Sequence, residues 1–295
     1  MKIVLLGTGT PTPSLTRMSS GYLVHLGDQV ILLDHGPGSY HRLMQAGYRA
    51  TDVTHVCFTH LHYDHCLDYQ RLVLNRWDQG AGRIDELKVY GPPPIQRMTD
   101  LLFGEGGVWE PDLRARTEHP LSVQIYVARG GVPPRLRPAP VVTELESGDV
   151  VEDPAGWRLH ARSVRHAQPF LNCYGFRLET PQGTIVYSGD SGPCKAMEQL
   201  AEGADVLIHM CQYLSGTALG KEFGETCMGH LELAELGATA KVKNLVVSHV
   251  TEQMDVPGVR ERVIREMSER YPGNLFFGED LMQIPIDGPR PAKLD

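Results

Sequence analysis

Thr59-His60-Leu61-His62-Tyr63-Asp64-His65 is the stretch that decides how this chain folds. It follows Val53–Phe58, a β-branched and aromatic run that reads as a buried strand. Four side chains of metal-ligand type fall within six positions at the tip of that strand. In extended backbone, residues two apart point the same way, so His60 and His62 can share one cation. A turn at Tyr63 then lets Asp64 and His65 face a second cation. Two cations need further ligands, and three other apolar runs deliver a candidate at their C-terminal tips. These are His166 after Trp157–Arg165, Asp190 after Ile185–Gly189 and His249 after Leu245–Ser248. Strand tips are stiff enough to hold ligands in place.

Working outward, Ile3–Leu6, Tyr22–His25, Val30–Leu33 and Leu87–Tyr90 read as strands, with a turn at Gly27-Asp28. Tyr40–Ala46 and Leu67–Trp77 carry helical spacing. In the second half, Cys173–Leu178, Thr184–Ser188, Val206–His209, Leu275–Phe277 and Met282–Ile286 read as strands, and Leu231–Ala240 and Val259–Glu269 as helices. Hairpins and strand–helix alternations in two similar halves predict an α/β fold, two sheets face to face with helices outside. The whole of 1–295 is expected to be a single domain. Gly104–Pro140 and Gln212–Gly229 show little regular pattern and read as loop insertions that form lids, binding loops or an interface. The tail Asp287–Asp295 is expected to be loosely ordered.

The chain has 295 residues, 41% of them hydrophobic and 22% charged, an ordinary globular balance. No apolar run is long enough to span a membrane. The six cysteines lack C-x-x-C spacing and read as reduced, mostly buried thiols of a cytoplasmic protein. The formal net charge is −8, and the basic residues cluster only around Arg135 and Arg137. That balance argues against a nucleic-acid substrate and leaves a small molecule open.

With these residues in place, the chain resembles the metallo-β-lactamase superfamily, and within it the ribonuclease Z and arylsulfatase-like branch. The resemblance rests on Gly7-Thr8-Gly9-Thr10-Pro11, Leu32-Leu33-Asp34, His60–His65, His166, Asn172-Cys173-Tyr174-Gly175-Phe176-Arg177, Ser188-Gly189-Asp190 and Ser248-His249. It implies an αββα sandwich of two mixed sheets and a homodimer. It implies that His60, His62 and His166 hold one metal, that Asp64, His65 and His249 hold the other, and that Asp190 bridges both. Asp34 would support a ligand from behind. Two departures stand out. The glutamate that follows the strand histidine in ribonuclease Z is Met210 here, although its partner histidine is kept as His230. No glycine- and base-rich arm of the tRNA-gripping kind is visible. Histidine at position 62, where a redox branch of the fold has glutamate, points away from diiron chemistry.

The expected cofactors are two divalent ions, zinc by default, with manganese or iron(II) compatible with the same N/O donors. Such a pair activates a water near neutral pH, with Asp64 orienting it and His230 the candidate proton donor to the leaving group. The leading expectation is hydrolysis of a small ester-type substrate: a phosphodiester, sulfate ester, lactone or carboxylic ester. The alternatives are a ribonuclease Z-like phosphodiesterase for RNA 3′ ends and a non-catalytic ligand-binding or regulatory protein. His35 reads as a packed loop histidine, and His25, His41, His55, His119 and His160 as structural.

Overall fold

The computed structural model describes residues 1–287, so the expected loose tail lies, beyond Asp287, outside the described residues. The chain first lays down β1 (Lys2–Gly7), β2 (Gly21–Leu26), β3 (Gln29–His35), β4 (His55–Cys57), β5 (Lys88–Gly91) and β6 (Val141–Glu144). It then builds a second sheet from β7 (Val150–Glu152), β8 (Arg158–Ser163), β9 (Tyr174–Thr180), β10 (Gly183–Tyr187), β11 (Val206–Met210), β12 (Asn244–Ser248) and β13 (Asn274–Phe277). The last strand, β14 (Gln283–Ile284), returns to the first sheet beside β1. The strand orders are β14-β1-β2-β3-β4-β5-β6 and β13-β12-β11-β10-β9-β8-β7.

Both sheets follow one plan. Four strands pair antiparallel (β14 to β3, β7 to β10), and three further parallel steps lead outward (β3 to β6, β10 to β13). Parallel strands need crossovers, and these are largely helical. The helices are α1 (Ser39–Gln45), α2 (Tyr63–Cys66), α3 (Tyr69–Gly80), α4 (Ile95–Phe103), α5 (Glu110–Glu118), α6 (Pro120–Ala128), α7 (Lys195–Ala201), α8 (Lys221–Thr226), α9 (His230–Thr239) and α10 (Val259–Ser268).

Side-chain alternation sorts the core into three layers. Ile3, Leu5, Tyr22, Ile31 and Leu33 face Leu159, Phe176, Leu178, Ile185 and Ile208 between the sheets. The opposite faces of the same strands, Val4, Leu6, Leu23 and Leu32, pack against Leu43 of α1, Leu72 of α3 and Ile95 of α4. Val186, Leu207, Leu245 and Val247 do likewise with Met197 of α7, Leu233 of α9 and Val263 of α10. The result is the αββα sandwich expected from the sequence. Each fully buried aliphatic or aromatic side chain contributes about 1.5–3 kcal/mol.

The strands read from the sequence lie where it places them, with ends displaced by a few residues, while β6 and β7 were not read; β4, read as Val53–Phe58, is only His55–Cys57. The segment 104–140 differs more. It was expected to lack regular structure, yet it carries α5 and α6, divided at His119, whose φ of −70° and ψ of 128° break the helix. Pro120 then opens α6 at its first position, where its missing N–H costs nothing. Arg135 ties this hairpin down, its guanidinium 3.8 Å from the Trp77 ring centroid and its Nη2 3.0 Å from Asp78. The segment 212–229 carries the short helix α8.

Candidate metal centre

The chain leaves β4 through Phe58 and Thr59, and Asp34 at the end of β3 fixes that exit. Its Oδ1 accepts the Thr59 N–H at 2.8 Å, and its Oδ2 accepts the Thr59 hydroxyl, the Tyr187 hydroxyl and His65 Nδ1–H, each at 2.7 Å. Asp34 adopts φ 55°, a left-handed conformation that non-glycine residues accept mainly where surroundings enforce it. His62 then stands at the N-cap of α2, so one helical turn swings Asp64 and His65 away from His60 and His62. The turn expected at Tyr63 is therefore a helical one. Gly36 makes the approach possible, since a Cβ there would lie 1.8 Å from the Asp64 carbonyl oxygen.

Three more loops supply the remaining groups. His166 sits just past β8, Asp190 follows β10 through Gly189, and His249 directly follows β12 with φ 50°. Gly189 has φ 54° and presses on Thr59, so only glycine fits between the two ligand loops.

All seven predicted ligands converge, and they do so in two groups. In the first, His60 Nε2 lies 2.9 Å from His62 Nδ1, His166 Nε2 lies 3.4 Å from His62 Nδ1, and Asp190 Oδ2 lies 3.5 Å from His166 Nε2. In the second, Asp64 Oδ2 lies 3.4 Å from His65 Nε2 and 3.3 Å from His249 Nε2. Asp190 Oδ1 lies 3.4 Å from each of those nitrogens. Asp190 therefore presents one oxygen to each group. Donors around a tetrahedral zinc with bonds of ~2.0–2.1 Å stand roughly 3.3–3.4 Å apart, so these spacings suit a shared cation. His65 Nε2 and Asp190 Oδ1 are buried without a hydrogen-bond partner, as atoms reserved for coordination would be. Asp34, His60 and His65 also lie close together, but Asp34 Oδ2 is already filled by donors.

The far ring nitrogens are held as well. His65 Nδ1 donates to Asp34, and His60 Nδ1 meets the Thr59 hydroxyl at 3.1 Å. His166 Nδ1 donates to the Thr226 carbonyl at 3.2 Å, and His249 Nδ1 to Gln212 Oε1 at 3.0 Å. Such partners fix the tautomer and aim Nε2 inward. Asp34 was anticipated in this role. Thr226 and Gln212 were not, because their roles depend on which histidine the fold brings opposite them.

Electrostatics keep the donors in the form a cation needs. Burial, reinforced by His65, drives the His60 pKa well below its usual value, and burial with His166 lowers that of His62. Burial opposes ionisation of Asp190, but His249 and His65 hold its carboxyl well below the usual range. Asp64 is likewise held low, against burial, by the neighbouring His249 and His65 imidazoles. His65 goes the other way: burial disfavours its charge, yet Asp190 and Asp34 raise its pKa well above normal. A cation at its Nε2 would replace that proton.

His230 is not brought into either group. It is fully buried at the start of α9, its Nδ1 accepts the Ser215 N–H at 2.9 Å, and its Nε2 lies 2.9 Å from Glu266. Met210 is also buried, with its sulfur 3.0 Å from the Ser191 nitrogen, beside the loop that carries Asp190. His35 is buried and held by Ser39 Oγ at 2.8 Å, a packed histidine as expected. All six cysteines are unpaired, and five of them are buried.

A family model described as "Anti-Pycsar protein Apyc1" matches residues 1–221. Ribonuclease Z of Mycolicibacterium paratuberculosis is 29% identical over 98% of this chain and 99% of its own length. Among solved structures, the metallo-beta-lactamase fold protein YhfI from Bacillus subtilis aligns with a TM-score of 0.72 at 19% identity, covering 96% of this chain and 98% of its own. Human tRNase Z, short form, aligns with a TM-score of 0.68 at 19% identity, covering 97% and 99%. These relatives overturn the expectation that nucleic acid is an unlikely substrate, since end-to-end matches carry the names of RNA-cleaving enzymes. That expectation leaned on the missing basic arm and on net charge, and net charge sums the whole surface, whereas a phosphate meets only the local field at the site.

Proposed function

The chain belongs to the anti-Pycsar protein Apyc1 family, within the ribonuclease Z branch of the metallo-β-lactamase superfamily of hydrolases, and we propose that it is a two-metal phosphodiesterase acting on nucleotide substrates. The observation that carries this reading is the split of Asp190, with one carboxylate oxygen toward each donor group. That geometry suits an in-line displacement at phosphorus, where attacking and leaving oxygens both need stabilisation. When bound, a pair of divalent ions would polarise the phosphoryl group and lower the pKa of an attacking water. Zinc fits the imidazole-rich donor set best.

The chain's own residues do the rest. Asp64 turns Oδ2 to His65 and His249, and we assign its Oδ1 to accept a hydrogen bond from the attacking water. Its depressed pKa keeps it an acceptor at neutral pH. Asp34 and Gln212 hold the imidazoles in register through their Nδ1 atoms. His230 has both nitrogens engaged within the protein, so protonation of the leaving oxygen falls to solvent in this reading.

The ribonuclease names of the relatives favour RNA as the substrate, and the first reading is cleavage at RNA 3′ ends. A short nucleotide diester is the second reading. It is favoured by a cavity of about 520 Å³ beside His62 and His166, a volume suited to a single nucleotide. Zinc-loaded protein should hydrolyse bis(4-nitrophenyl) phosphate but not 4-nitrophenyl acetate or sulfate above background. Precursor tRNA and a cyclic nucleotide, assayed in parallel, decide between the two readings. Turnover of the carboxylic or sulfate ester alone would refute the phosphodiesterase.

The proposed protein is a cytoplasmic homodimer. Unpaired cysteines suit a reducing compartment. The dimer is supported by α6, an apolar helix in which only Tyr126 is buried while Leu121, Ile125 and Val127 are exposed.

A further inference from the structure

The loop that follows His166 is braced at both ends. Gln168 accepts the His166 N–H at 3.0 Å and donates to the Val164 carbonyl at 2.7 Å. The Phe170 and Leu171 N–H groups both close back onto the Ala167 carbonyl, at 3.1 and 3.3 Å. Leu171 packs against the core, but Phe170 is turned outward and is 90% exposed. A tightly held loop thus presents a bare aromatic ring a few residues from a metal ligand.

That ring lines the cavity of about 520 Å³ together with His62, His166, Glu222 and Phe223. Phe223 is held in place as well. Phe223 leans on Tyr213 with ring centroids 5.3 Å apart. Its helix α8 is tied to the His166 loop by Arg165–Glu225 at 2.9 Å and by the Thr226 carbonyl on His166 Nδ1. The cavity is therefore lined by two imidazoles of the candidate metal-ligand set, two phenylalanines and a carboxylate.

We propose that Phe170 and Phe223 form a stacking subsite for the nucleobase of a nucleotide whose phosphate lies at the metal ligands His62 and His166, with Glu222 accepting from base N–H groups. Every base has a π-face, so stacking on such rings tolerates different bases, and a carboxylate favours those with an amino group on the exposed edge. This rests on the phosphodiesterase reading but concerns binding, so it is tested without turnover.

Calorimetry on zinc-loaded protein compares AMP with ribose 5-phosphate, which differs only by lacking the base. The wild type is expected to bind AMP about tenfold more tightly or better. Phe170→Ala should weaken that preference about threefold or more while leaving ribose 5-phosphate affinity unchanged, and Phe170→Trp should keep it. An AMP preference unaltered in Phe170→Ala, an equal loss for both ligands, or no AMP binding at all would overturn the subsite. Phosphodiester turnover is scored separately: its absence beside an intact AMP preference refutes the catalytic reading and upholds the subsite.

Discussion

Oδ2 of Asp190 faces His166 and His60, and Oδ1 faces His65 and His249. Asp190→Ala should therefore remove both metals and reduce activity to background, while His62→Ala, which touches only one donor group, should chiefly empty that position. Elemental analysis beside the phosphodiesterase assay checks this, and full activity of either variant with one metal would contradict a two-metal mechanism. Asp34→Asn leaves every donor in place but spoils the acceptor for His65 Nδ1, so zinc affinity should fall roughly 10- to 100-fold, read by chelator competition. Gly36→Ala drives a methyl into the Asp64 backbone and should cost about 1–3 kcal/mol in denaturant unfolding. The converging side chains were legible because a strand tip bearing His-x-His-x-Asp-His has few other uses. Gln212 and Tyr187 were illegible because their roles depend on which loop the fold brings opposite them.

Elements were legible where a short apolar run ends at turn residues. β1 to β3 are buried on both faces, alternate side chains entering the two packing layers, and so read as near-continuous apolar runs. The hairpin α5–α6 was hidden for a different reason. α6 reads Pro-Leu-Ser-Val-Gln-Ile-Tyr-Val-Ala, apolar nearly all round, and so shows no helical stripe. β6 and β7 are short and exposed, with too few residues to set a pattern. If α6 is a contact between copies, Leu121→Glu with Ile125→Glu should convert a dimer to a monomer in light scattering, with little loss of monomer stability because both side chains are exposed. A wild-type monomer at micromolar concentration would remove α6 from that role.

At the scale of the whole molecule, buried neutral histidines make stability fall in acid. His209 is fully buried, and burial pushes its pKa down to about 4 from 6.5. Above the unfolded value both states are neutral and nothing is lost. As pH falls from 6.5 toward 4, the unfolded chain takes up a proton that the folded chain refuses, and stability declines by up to about 1.4 kcal/mol per pH unit. His209→Leu should reduce the difference in urea midpoint between pH 7 and pH 5 in metal-free protein; an undiminished difference would show that His209 contributes nothing to it. Global charge was the weaker guide. A net charge of −8 describes solubility and long-range steering, not the few groups a phosphate touches, and it led the substrate expectation astray.

Anomalous diffraction at the zinc edge, from crystals of zinc-loaded protein, tests the paired centre most directly. Two peaks ~3.5–4 Å apart are predicted. One should lie among His60, His62, His166 and Asp190 Oδ2, the other among Asp64, His65, His249 and Asp190 Oδ1. A single peak, or zinc bound away from Asp190, would contradict the two-metal hydrolase.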